Sequence, residues 1–158
     1  MADTTQRSAQ ADALIRKHML AAMASGLIPM PWLDAAALAA LQLNLLRCLA
    51  DVHGVEFSSQ LGKSVIATLV GGALPANLSV QVATLAKGLP GVGWLAGAGS
   101  AAVLGAASTY ALGKVFVQHF ESGNTFLSFD PEKVRAYYSQ QFEQGKEEVR
   151  TSFVGLMP

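Results

Sequence analysis

Charge is what this sequence has least of. Only 14% of its 158 residues are Asp, Glu, Lys or Arg, against about 25% in an ordinary soluble domain. The 11 basic and 11 acidic residues cancel, so no net field draws the chain to nucleic acid or to an acidic surface. Cysteine is nearly absent as well: Cys48 stands alone, which excludes an intrachain disulfide and fits a reducing compartment. The three histidines, His18, His53 and His119, are too scattered to suggest a metal site. Met1 to Gln10 lacks the apolar core of a secretory signal, so the chain is expected in the cytoplasm or on its membrane.

What charge there is sits at the flanks. Between Lys63 and Lys87 lie 23 residues without any, and between Lys87 and Lys114 another 26. The class expected is all-α: a flexible lead at 1–10, a single helical domain at 11–150 and a tail at 151–158. Residues 11–54 read as a helical hairpin. Ile15, Met19, Ala22, Met23 and Leu27 share one helical face, and Pro29 and Pro31 then forbid a continuous helix. Asp34 is placed to cap a second helix, in which Leu38, Leu41, Leu45, Cys48 and Val52 recur at the spacing of a packing seam. Gly54 closes this hairpin in a left-handed cap.

Residues 58–121 read as an apolar helix pair, divided at Leu89-Pro90-Gly91, with the first member kinked or split near Gly71, Gly72 and Pro75. In the uncharged part of the second member, 16 of 26 residues are Gly, Ala or Ser. Gly93, Gly97, Ala101 and Gly105 follow one another at intervals of four, and Gly113 continues the row beyond Thr109. A face this flat lets two backbones approach closely, so these five residues are the candidate helix-packing positions. Phe126 to Phe129 is a short connector, extended if it is regular at all. Asp130-Pro131-Glu132 starts a last helix over 130–150 with a cap, a proline in the first turn and an acid at the positive dipole end. Tyr137, Tyr138 and Phe142 lie on its apolar stripe as a candidate partner interface, core packing being the plainer use of the same rings.

Motifs with a chemical look fail on detail. Gly62-Lys63-Ser64 ends like a phosphate-binding loop, but position 57, where the loop needs glycine, is Phe. Gly91, Gly93 and Gly97 miss the dinucleotide spacing by one and have no βαβ setting. Asp51 and His53 have no nucleophile beside them, and Asn77 and Gln81, one turn apart, suit a hydrogen bond between helices. No catalytic, cofactor-binding or metal-ligating set remains, and no enzyme is expected.

Both uncharged segments exceed the roughly 20 residues that cross a bilayer. One reading is a hairpin of Ser64–Ala86 and Gly88–Gly113 inserted from the cytoplasm, turning at Lys87 to Gly91, with basic residues on both inner flanks. The other is a soluble domain whose central pair is buried in protein. The first segment holds nine large aliphatics against six Ser, Thr, Asn or Gln, which is little for insertion.

Several blocks resemble a known family. Ile28-Pro29-Met30-Pro31 with Asp34, Leu61-Gly62-Lys63, Tyr110 to Phe116 running into His119 to Gly123, and Asp130 to Lys133 are similar to the YcjF-type GTPase-associated domain, a bacterial family of unknown function. The resemblance covers residues 11–146. It implies a helical, membrane-associated domain with no catalytic residues to carry over. The GTPase module itself is absent, so a separate small GTPase is the partner it suggests. The expected function is a non-catalytic membrane-associated scaffold or anchor on the cytoplasmic side of a bacterial inner membrane, with lipid and further copies of the chain as partners. The alternative is a soluble helical adaptor for a small GTPase or another protein.

Overall fold

The computed structural model describes the backbone of residues 2–26, 31–73 and 92–156, and the side chains of 3–26, 35–72 and 102–155. Five α-helices account for most of it: α1 (Ala2–Ser25), α2 (Pro31–His53), α3 (Ser59–Ala73), α4 (Val92–Glu121) and α5 (Pro131–Leu156). A 3₁₀ turn at Phe126–Ser128 joins the last two. No strand occurs among the described residues, and the fold is all-α.

The expected breaks have visible causes. Gly54 takes φ 67° after α2, its N–H bonding the Asp51 carbonyl at 3.3 Å while the Val55 N–H reaches the Ala50 carbonyl at 2.9 Å. Gly123 ends α4 in the same way, with φ 78°, a bond to Phe120 at 2.9 Å and one from Asn124 to His119 at 3.2 Å. Both are Schellman caps, which use the freedom of glycine to satisfy the last carbonyls of a helix. Asp130 caps α5 by accepting the Glu132 N–H at 3.1 Å. The turns expected at Leu89 to Gly91 and at Pro75 lie outside the described residues.

Four boundaries differ from expectation. Within the expected flexible lead at 1–10, residues 2–10 are helical, because α1 starts at Ala2, where Arg7 pairs with Asp3 one turn away at 3.0 Å. Helix α2 starts at Pro31 rather than after Asp34, since proline in the first turn loses no hydrogen bond. Phe126 to Phe129 is a 3₁₀ turn followed by one extended residue, because the Ser128 hydroxyl accepts the Thr125 N–H at 3.1 Å and folds the segment back on itself. Helix α5 continues to Leu156 through the expected tail.

Helix α4 is the hub, flanked by α1, α2 and α5. Its Ala106, Ala107, Ala111, Leu112 and Phe116 are fully buried. Helix α3 packs on α2 and α5 and contributes Val65, Ile66 and Leu69 to the core. Where α4 ends, Phe57, Phe116, Phe120, Phe126 and Phe129 cluster, with Phe116 stacked on Phe129 at 4.7 Å.

Candidate functional site

The small residues of α4 are where its neighbours come closest. A Cβ at Gly113 would lie 2.6 Å from Cγ1 of Ile15 on α1, and one at Gly105 would meet Cδ2 of Leu38 on α2 at 3.4 Å. The partners use glycine in return. A Cβ at Gly26 would fall 2.5 Å from the Ala102 Cα, and one at Gly145 of α5 would fall 2.9 Å from the Ala107 carbonyl oxygen. Of the small-residue row, Gly105 thus meets α2 and Gly113 meets α1 within one chain. Gly93, Gly97 and Ala101 lie on described helix, but their side-chain surroundings are outside the described set.

Polar groups tie these helices in register. Gln42 of α2 is 1% exposed, and its Nε2 donates to the Ser108 hydroxyl at 3.0 Å and the Thr109 hydroxyl at 3.3 Å. Those hydroxyls donate onward to the Gly105 carbonyl at 2.9 and 2.8 Å, so each is used as both donor and acceptor. Buried His18 of α1 donates from Nδ1 to the Leu14 carbonyl at 2.8 Å, which leaves Nε2 to accept from Asn44 of α2 at 3.1 Å. Lys114 bonds Asp12 of α1 at 2.6 Å. Burial works against the ammonium, but Asp12 more than offsets it and the Lys114 pKa rises. For the phenols burial acts the other way, raising the pKa of Tyr110 and, more strongly, of Tyr138.

The same contacts set helix direction. Leu38 meets Gly105 and Gln42 meets Ser108 and Thr109, so α2 runs parallel to α4. Gly26 meets Ala102 and Ile15 meets Gly113, so α1 runs antiparallel to α4. Phe129, just before α5, stacks on Phe116 near the end of α4, and Gly145 meets Ala107 further back, so α5 also runs antiparallel to α4. The C-termini of α1 and α5 therefore lie at the same end as the N-termini of α2 and α4.

The residues from Ala102 to Gly113 form half of one uncharged segment, and here they are enclosed by protein. A hairpin with Gly88–Gly113 lipid-exposed throughout does not fit that placement. Among the described residues one helix, Ala35–His53, is long and apolar enough to cross a membrane, with mean hydropathy 1.4. Its Leu45, Leu46, Leu49 and Ala50 face protein, while Asn44, Arg47 and Asp51 face outward, and 28% of the apolar window is buried. The described surface includes a shallow open groove between α1 and α2, lined by Gln10, Ala13, Leu14, Lys17 and Val52. No three of the described His, Cys, Asp or Glu residues are grouped to hold a metal.

Residues 3–147 match the family described as a domain of unknown function, DUF697. The chain belongs to the DUF697 family. It is 42% identical over 145 residues to Magnetosome membrane protein 22 of Magnetospirillum gryphiswaldense, an alignment covering 91% of this chain and 74% of that relative. No solved structure matches it. The DUF697 match carries no link to a GTPase.

Gly62-Lys63-Ser64 lies inside α3, where the Gly62 N–H bonds the Ser58 carbonyl at 2.9 Å and a Cβ would strike Leu43 at 2.8 Å. Its amides are not free to wrap phosphate. Asp51 is exposed, while His53 donates from Nδ1 to the Leu49 carbonyl at 2.8 Å and lies against Phe120. Tyr138 is 1% exposed, which leaves it no surface for a partner, and Tyr137 and Phe142 are half-buried against the core. The polar ties made by Gln42, Ser108, Thr109, His18 and Asn44 are not evident from local sequence. The available signal was polar residues recurring on otherwise apolar helices.

Proposed function

We propose that this DUF697 protein is a non-catalytic, membrane-associated helical module, acting as an anchor or scaffold on the cytoplasmic face of a membrane. The observation that carries the reading is the long uncharged run set beside the placement of its second half. Ala102 to Gly113 are taken up by the bundle core. The preceding residues, 74–101, hold one charge, Lys87, and no acid. This stretch is apolar enough to enter the interfacial region of a bilayer while the bundle stays folded in water. A relative that carries the name of a membrane protein supports the same reading.

The experiment is vesicle flotation of the full chain, paired with fractionation of cells that make it. Co-flotation with vesicles, and recovery with membranes after a high-salt wash, is the expected result. A chain that stays wholly in the aqueous fraction in both assays overturns the proposal. A small GTPase as partner rests on the motif resemblance alone.

A further inference from the structure

We propose that a second copy of this chain packs against the outer face of α2, related to the first by a two-fold axis that passes between Arg47 and Asp51. The proposal goes beyond the membrane-associated reading and does not depend on it. Three observations carry it.

The first is an apolar helix left largely uncovered. Ala35–His53 is apolar enough for a core helix or a membrane span, yet only 28% of its apolar window is buried within the chain. Packing on α1, α3 and α4 takes up Gln42, Leu45, Leu46, Leu49 and Ala50. Away from that side, Ala36, Ala40, Asn44, Arg47 and Asp51 recur every three or four residues, and all are exposed. Leu41, Cys48 and Val52, which belong to the regular apolar seam of this helix, border the stripe and are only half-buried. Next to Val52 the shallow groove against Ala13 and Leu14 of α1 continues the apolar border. Small residues beside half-covered apolar ones suit a neighbouring helix.

The second is a pair of charges without partners. Arg47 and Asp51 stand one turn apart, about 6 Å along the helix axis. Neither makes an ion pair among the described residues. Within a single helix, a base that precedes an acid by four residues is in the less favourable order.

The third is what these charges select. A bilayer over this face would take in a guanidinium and a carboxylate with nothing to pair them, which hydrocarbon does not accept. A helix seated here must bring an acid opposite Arg47 and a base opposite Asp51. A second α2 running antiparallel does so by symmetry: Arg47 meets the partner's Asp51, and Asp51 meets the partner's Arg47. Such a contact is isologous and closes at two copies. Ala36 and Ala40 add no bulk that would prop the two helices apart.

The test uses the full chain in mild detergent. The sole cysteine, Cys48, lies beside the axis. A short bismaleimide should therefore link two copies, and Cys48→Ser should abolish the product. Arg47→Asp and Asp51→Arg each set like charges across the axis, and each should weaken self-association about tenfold or more in analytical ultracentrifugation. Mixing the two variants sets two acids opposite two bases, so the mixture should dimerise as the unaltered chain does. A role confined to one chain cannot give that rescue. Circular dichroism and melting check that each variant is folded. A chain that stays monomeric at high micromolar concentration overturns the proposal. Self-association that neither substitution weakens, or that leaves Cys48 unlinked, places the interface elsewhere and overturns it too. If vesicles shield Cys48 of a monomeric chain from maleimide, lipid covers this face; the proposal then falls while the membrane reading stands.

Discussion

At Gly113 a methyl group has nowhere to go: it would sit 2.6 Å from Ile15 Cγ1, an atom near the root of a buried, β-branched side chain. At Gly105 the nearest atom is 3.4 Å away and belongs to the tip of Leu38. Alanine also favours helix over glycine by about 1 kcal/mol. Gly113→Ala should therefore lose about 1–2 kcal/mol net of that gain, while Gly105→Ala should be neutral or up to about 1 kcal/mol more stable. Urea midpoints of the two variants check this, and equal midpoints would contradict the packing. Titration gives a second prediction. The pKa values of Lys114 and Tyr138 are both raised in the fold. Above about pH 10 the unfolded chain gives up these protons first, so stability should be full below that pH and fall as pH rises beyond it. Tyr138→Phe should make the alkaline fall shallower, as followed by denaturation at pH 8 to 11; an unchanged slope would show that the phenol titrates alike in both states.

At the scale of the helix, what was legible in the sequence was whatever had a local cause. Gly54, Gly123 and Asp130 announce helix ends because caps need particular residue types within four positions of one another. The seam on α2 was less legible. Leu38, Leu41, Leu45, Cys48 and Val52 make the neater pattern, yet the fully buried set is Gln42, Leu45, Leu46, Leu49 and Ala50. The stripe is rotated because Gln42 finds two hydroxyls on α4, a partnership across 66 and 67 residues of sequence that no local period encodes. The close approaches at Gly105 and Gly113 were readable as small residues at helical spacing. Their partners, Leu38 and Ile15, were not, since small-xxx-small says only that something comes near. Helix α3 supports a sharper prediction. Its Gly62 amide is bonded within the helix and its Cβ position is closed by Leu43. Calorimetry with GTP or ATP at millimolar concentration should show no binding, and an isotherm abolished by Lys63→Ala would overturn that.

Taken as a whole molecule, the bundle depends on its last helix. Gly145 of α5 closes on Ala107 and Tyr110, and Tyr138 and Val149 fill the core from the same side. A chain stopped after Gly123 would uncover that side of α4, so it should form aggregates by light scattering where the full chain is monodisperse; a soluble, cooperatively melting fragment would show that α5 is dispensable.

That arrangement also has a consequence in time. A chain grows from its N-terminus at about 5–20 residues per second. The hub, α4, therefore exists before the helix that completes its burial. From the appearance of Gly113 until Pro158 is added, about 2–9 seconds pass at that rate. During this interval the longest uncharged stretch of the sequence lacks its final cover. Whatever apolar surface is nearest to the ribosome in those seconds, a chaperone or a bilayer, competes with α5 for it, and translation speed becomes part of what decides where the protein ends up.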